Sequence, residues 1–170
     1  MEISKALLRC GWDAAEYRYV SSKRTQVKTR SFLGENEFFE PYDSFRYSFS
    51  DLSDDDAVIY DNIASLGAEY ELAWKRILLA DAFFMNTDRH MRNFGVIRSA
   101  KTGKLLRLAP NFDNNQAYLA NPSGKHSDAM LKMHMRNADS QTYADLRTLL
   151  TASQSARYLS QAVDAAQKYL

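Results

Sequence analysis

Asn86-Thr87-Asp88-Arg89-His90-Met91-Arg92-Asn93-Phe94-Gly95-Val96-Ile97, followed after a short turn by Lys104-Leu105-Leu106-Arg107-Leu108-Ala109-Pro110-Asn111-Phe112-Asp113, is the stretch whose reading decides this chain. Residues 94–97 and 104–108 are rich in β-branched and aliphatic residues, and Lys101-Thr102-Gly103 supplies the turn between them. They predict a β-hairpin that Pro110 brings to an end. A hairpin returns the chain to the end it started from, so it holds Asn93 and Asp113 close together. Upstream, residues 69–85 predict a buried helix, with Leu72, Ile77, Leu79, Ala80, Phe83 and Phe84 on a broad apolar face. Polarity flips at Asn86. The order is therefore buried helix, polar loop, hairpin, second polar loop.

That order has a chemical use. Phosphoryl transfer from ATP needs one carboxylate to orient or deprotonate the attacking hydroxyl, and an Asn–Asp pair of oxygen ligands to hold Mg2+ against the phosphates. Asp88, with Asn93 five residues on, has the spacing of a kinase catalytic loop, where the Asp is the base and the Asn a metal ligand. Asp113, across the hairpin, stands where the second metal-binding Asp is expected. Alone, each residue has a plainer use. Asp88 can cap a helical turn, Asn93 can cap the hairpin, and Asp113 can form an Asx turn with Asn114 and Asn115 behind it. Together those readings leave the set unexplained. His90 has three readings: orienting the loop from a semi-buried position, binding a metal, or acting as a base. The first is preferred, because the other slots are filled. Arg89, Arg92 and Arg98 read as a solvated, charge-balanced face rather than as a site for ATP or an acidic substrate.

Further out, residues 2–10 predict a short helix stopped by Gly11. Tyr17–Val20 and Thr25–Phe32 predict two strands, and Lys23, Arg24, Lys28 and Arg30 among them read as charge that protects a sheet edge. Residues 34–50 are aromatic without a clean period and read mostly as loop. Phe38, Phe39, Tyr42, Phe45, Tyr47 and Phe49 are expected to pack the core. Ser53, followed by Asp54, Asp55 and Asp56, predicts a helix start running to about Leu66, with Ser53 as the cap. Residues 114–138 read as loop, and two helices are expected from about Thr142 to the end.

The chain has 170 residues, 45% of them hydrophobic and 25% charged, which suits one domain with a core. Lys plus Arg number 22 and Asp plus Glu 21, a balance that argues against direct nucleic-acid binding. No apolar run approaches the roughly 18–20 residues that cross a bilayer, and the N-terminus does not read as a signal peptide. Cys10, the single cysteine, rules out an internal disulfide and reads as a small buried residue. A cytoplasmic protein that makes no membrane contact is expected. The sparse His content argues against a metallo-hydrolase.

At Asn86, Asp88, His90 and Asn93 the sequence resembles the HipA-like protein kinases, bacterial toxin kinases of Ser and Thr whose loop reads Asn-x-Asp-x-His-x-x-Asn. Leu108-Ala109-Pro110-Asn111-Phe112-Asp113 is similar to the family's Ala-Pro-x-x-Asp metal loop. Ser31–Pro41 resembles a segment that some members carry before the helical lobe. The resemblance implies a mainly α fold with small β-hairpins, the C-lobe of a kinase-like fold with the N-lobe largely missing. It is one domain over 1–170, with 1–50 a remnant of the inter-lobe region and 51–170 the helical lobe. It implies Asp88 and His90 as catalytic residues, Asn86, Asn93 and Asp113 as cofactor-binding, Asn93 and Asp113 as Mg2+ ligands, and ATP as phosphoryl donor. Partners implied are an N-lobe or small protein in trans, a HipB-like antitoxin, and a protein substrate such as an aminoacyl-tRNA synthetase. The six glycines are scattered and form no Gly-rich loop, so the isolated chain is not expected to be a competent kinase. Two alternatives stand beside this one. One is a non-catalytic kinase-like module of a toxin–antitoxin system. The other is a phosphatidylinositol-kinase-like enzyme, whose loop Asp-Arg-His-x-x-Asn is shared, but whose Asp-Phe-Gly is replaced here by Phe112-Asp113-Asn114.

Overall fold

A computed structural model of the chain describes residues 2–20, 26–84, 86, 88–115 and 117. The elements are α1 (Glu2–Arg9), β1 (Tyr17–Tyr19), β2 (Val27–Thr29), β3 (Glu37–Pro41), α2 (Tyr42–Phe45), α3 (Asp56–Ala64), α4 (Ala68–Phe84), β4 (Gly95–Ser99) and β5 (Leu105–Leu108). A 3-10 turn, Arg46–Ser48, follows α2.

The helix α4 is the spine, as its apolar content requires. Tyr70, Trp74, Ile77 and Leu78 face one core, shared with Ile59, Tyr60 and Ile63 of α3, Tyr42 and Phe45 of α2, and Phe94, Val96 and Leu108. Phe94 lies between two rings, 4.4 Å from Trp74 and 5.0 Å from Tyr42 between centroids. Ala80 and Phe84, in the last turns of α4, meet Ile3, Ala6 and Leu7 of α1 in a second cluster. Leu72, expected on the buried face, is 44% exposed, because the buried arc runs through Tyr70, Trp74 and Ile77 instead. Gly11 ends α1 at φ +72°.

The predicted hairpin is β4–β5, with Val96 opposite Leu108. A third strand joins it. β3 runs antiparallel to β4, from Glu37 opposite Ser99 to Pro41 opposite Gly95, giving the order β3-β4-β5. Residues 37–48 are therefore strand, helix and 3-10 turn within a stretch expected to be mostly loop. The stabilising partners lie 58 and 70 residues away, beyond any local pattern. Arg98 Nε donates to Glu40 at 2.5 Å, and Arg107 forks onto both Glu37 carboxylate oxygens at 2.7 and 2.8 Å. Gly95 lets the two backbones approach; a Cβ there would stand 2.2 Å from the Glu40 carbonyl oxygen.

Of the six aromatics, Tyr42 and Phe45 are buried and Phe39 and Phe49 half-buried, but Phe38 and Tyr47 are exposed, Tyr47 at 75%. Helix α3 starts at Asp56, with Asp55 in the capping position. Ser53 Oγ accepts the Asp55 N–H at 3.2 Å, so it shapes the turn ahead of the helix and is not its cap. Cys10 is half-buried rather than buried. β1 and β2 form a separate two-stranded antiparallel ribbon.

Four α-helices and two small antiparallel sheets among the described residues make the fold mixed α/β there, with β3 enlarging the expected hairpin to three strands. The helices expected after residue 142, and most of the loop expected over 114–138, lie outside the described residues. Among the described residues no helix is long and apolar enough to cross a membrane.

Candidate functional site

The site is built on a buried charge. Asp81 is the single ionisable residue between Ile77 and Phe84, and α4 carries it inward. An unpaired carboxylate there would be costly. Arg89, from the loop that follows, folds back to meet it in a fork, Nε to Oδ2 and Nη2 to Oδ1, both at 2.8 Å. The side chains are 1% and 0% exposed. Burial opposes the Arg89 cation, but the Asp81 carboxylate outweighs it, and the guanidinium holds its proton more tightly than usual.

The guanidinium then ties the two polar loops together. Its Nη1 donates to the carbonyl oxygens of Asn93, at 2.9 Å, and Phe112, at 2.7 Å. Its Nη2 also donates to the side-chain oxygen of Asn114 at 2.9 Å and reaches that of Asn111 at 3.4 Å. Asn86, fully buried, donates from Nδ2 to Asp81 at 2.9 Å and accepts the Asp88 N–H at 3.4 Å. One arginine thus joins the end of α4, the loop after it and the loop after β5. Phe112 is fixed from its other side by the rings of Phe32 and Phe39, 5.6 and 5.5 Å away. The segment after α1 adds a further tie: Ala15 N–H donates to the Asn111 carbonyl at 2.8 Å, and Asn111 N–H to that of Asp13 at 3.0 Å.

The residues predicted for the site fall on this frame. Asn93 is buried; its N–H donates to the His90 carbonyl at 2.8 Å and its Nδ2 to the Asp88 carbonyl at 3.0 Å. The amide nitrogen is committed, and no described residue donates to the amide oxygen. Asp88 is half-buried, and none donates to its carboxylate either. Asp113 has a left-handed backbone, φ +54°, which Asp tolerates better than most residues. Its N–H donates to the Tyr17 hydroxyl at 3.1 Å, and its carboxylate adds to the field that holds the Arg89 proton. It borders a hollow of about 140 Å³, lined also by Ile3, Ser4, Tyr17, Asn114 and Asn115. Asn86, Asp88 and Asn93 are linked by hydrogen bonds, and Asp113 joins them through Arg89. His90 stands apart: it is exposed, not semi-buried, and its Nδ1 accepts the Arg92 N–H at 3.2 Å.

Arg89 corrects the expectation of a solvated face. Arg92 fits that expectation, 77% exposed beside Asp43. Arg98 is half-buried, with its guanidinium 5.3 Å from the Phe45 ring centre. Asp81, Arg89, Asn111, Asn114 and Tyr17 were missed as members of the site. One signal pointed to the first two: an acid inside an apolar helix needs a cation.

Among the described residues no three His, Cys, Asp or Glu side chains could enclose a metal ion. The Asn93 amide oxygen and Asp113 carboxylate are hard oxygen donors. They suit a Mg2+ that takes its remaining ligands from phosphate and water, better than a resident ion in a protein cage.

The family model of the HipA-like C-terminal domain matches residues 8–169. Neither curated proteins nor solved structures gave a match.

Proposed function

The chain belongs to the HipA-like C-terminal domain family, and from that premise we propose that it carries the metal- and hydroxyl-handling half of an ATP-dependent Ser/Thr protein kinase site. The observation that carries the reading is a set of side-chain oxygens to which no described residue donates. Asp88, Asn93 and Asp113 keep them on loops held by one buried arginine.

Asp88 orients the attacking hydroxyl and takes its proton as the new oxygen–phosphorus bond forms and ADP departs. Asn93 and Asp113 would hold Mg2+, which when bound offsets the charge of the triphosphate. Asn93 can present its amide oxygen because its amide nitrogen is fixed on the Asp88 carbonyl. Arg89 touches neither substrate. It keeps the two loops in register, where about 1 Å of misplacement costs roughly 10²-fold in rate. His90 restrains the loop by accepting the Arg92 N–H. This sequence contains no Gly-rich loop, so the phosphate cradle would come from an N-lobe or partner outside these 170 residues. A protein substrate and an antitoxin-like regulator belong to the same proposal.

Two-dimensional NMR of the 15N-labelled chain tests this. Mg·ATP, taken to about 10 mM to cover millimolar affinity, should move the Asn93 and Asp113 amides, and ATP with EDTA should not. Asp113→Asn should lose the shifts while keeping the fold. Amides that stay still, or shifts indifferent to Mg2+ and to Asp113→Asn, would overturn the reading.

A further inference from the structure

The ribbon β1–β2 carries charge that the fold does not use. Its register sets Arg18 directly opposite Lys28, with Tyr17 opposite Thr29 and Tyr19 opposite Val27. Side chains alternate along a strand, so Arg18, Lys28 and Arg30 share one face. Like charges directly opposite one another destabilise a sheet pair. Charge that merely guarded an edge would gain from an acid opposite each cation, and at Arg18 and Lys28 a cation stands opposite a cation. Among the described residues the one acid beside these cations is Glu16, which lies 3.5 Å from Arg30, both well exposed. Five arginines elsewhere among the described residues are matched: Arg46 with Asp54, Arg89 with Asp81, Arg92 with Asp43, Arg98 with Glu40 and Arg107 with Glu37. Among the described residues Arg18 and Lys28 have no such partner. They line a shallow hollow of about 410 Å³ together with Glu16, Tyr17, Thr29 and Arg30.

The hollow adjoins the site already described. Tyr17 lines both this hollow and the one beside Asp113, and its hydroxyl accepts the Asp113 N–H. Among the described residues the ribbon has two strands only, so no described strand lies along the outer edge of β2. An extended polypeptide can add to such an edge through its backbone, and its acids at alternate positions then meet cations at the same spacing. Lys28 and Arg30 have that spacing.

We propose that the Arg18–Lys28–Arg30 face is a docking surface for an extended acidic segment of the polypeptide substrate, with acids at every second residue. It rests on the kinase reading only in calling that polypeptide a substrate; the binding itself does not need it.

The test is fluorescence anisotropy on the whole 170-residue chain, with a labelled peptide alternating Glu and Val around one Ser. Binding should occur at low salt and weaken at least about tenfold in 0.5 M NaCl, as exposed charge pairing requires. It should weaken at least about tenfold again in the double variant Arg18→Glu/Lys28→Glu, and by less in Arg18→Gln/Lys28→Gln, with circular dichroism confirming that both fold. Asp88→Asn should bind the peptide normally and lose phosphoryl transfer in an assay reconstituted with the phosphate-cradling lobe, so near-normal transfer with binding intact would sink the kinase reading and spare this one. No binding, equal binding of a Gln-for-Glu peptide, or indifference to the charge variants would overturn the proposal. Equal affinity for a single-stranded oligonucleotide of the same charge would overturn the choice of a polypeptide.

Discussion

Replacing Arg89 by Met probes the frame on which the site stands. Methionine fills much of the same space, so packing changes little and charge changes most. The variant leaves the Asp81 carboxylate, 0% exposed, without its cation. It also strips donors from the Asn93 and Phe112 carbonyls and from the Asn114 side chain. Breaking a buried pair by removing one partner costs about 3–5 kcal/mol. Against a total stability of about 5–15 kcal/mol for a domain, that is a large share. Replacing both partners with apolar residues, as in Asp81→Leu/Arg89→Met, leaves no orphaned charge and should recover most of the loss. Urea unfolding followed by tryptophan fluorescence measures both. The single variant should show a much lower midpoint at constant slope, and the double variant a midpoint between it and the parent. Equal losses in the two, or a loss under about 1 kcal/mol in the single variant, would refute the idea that the buried Asp81 charge makes Arg89 indispensable.

Other outcomes follow from the same geometry. Gly95→Ala should destabilise by about 1–3 kcal/mol or more, since the new Cβ meets the Glu40 and Pro41 backbone and not a yielding side chain; thermal unfolding measures it. Glu37 has its pKa lowered from 4.5 to about 2, first by the Arg107 hydrogen bond and then by the Gly34 N–H. Its folded pKa lies below its unfolded one, so its contribution is full above about pH 4.5 and is lost as pH falls toward 2. Acid unfolding of Glu37→Gln should therefore depend less on pH in that window than the parent. Asp88→Asn should leave the melting temperature unchanged but abolish phosphoryl transfer in an assay reconstituted with the phosphate-cradling lobe, because an amide cannot take the hydroxyl proton. Near-normal turnover would remove Asp88 from its role.

Local pattern carried the reading as far as local physics reaches. The apolar run of α4, the turn at Gly103 and the aliphatic strands around it follow from short-range preferences, and α4 and the hairpin appear where those preferences put them. β3 was illegible because its register depends on Arg98 and Arg107, far along the chain, and on the close approach that Gly95 allows. Arg89 was misread because an arginine in a polar loop is ordinarily solvated; only the neighbouring Asp81 argued otherwise.

What the amino-acid order determined by itself was the chemistry on offer: an Asp, an Asn and a second Asp at the ends of a hairpin, with a family resemblance that the match over residues 8–169 bears out. What the tertiary structure decided was how those residues are held. Asn93 is buried with its nitrogen committed, His90 lies outside, and one arginine spans two loops that are about twenty residues apart in sequence. The physical reason is desolvation. A carboxylate taken into the core by a helix must find a cation there, and which residue answers is settled by packing in three dimensions.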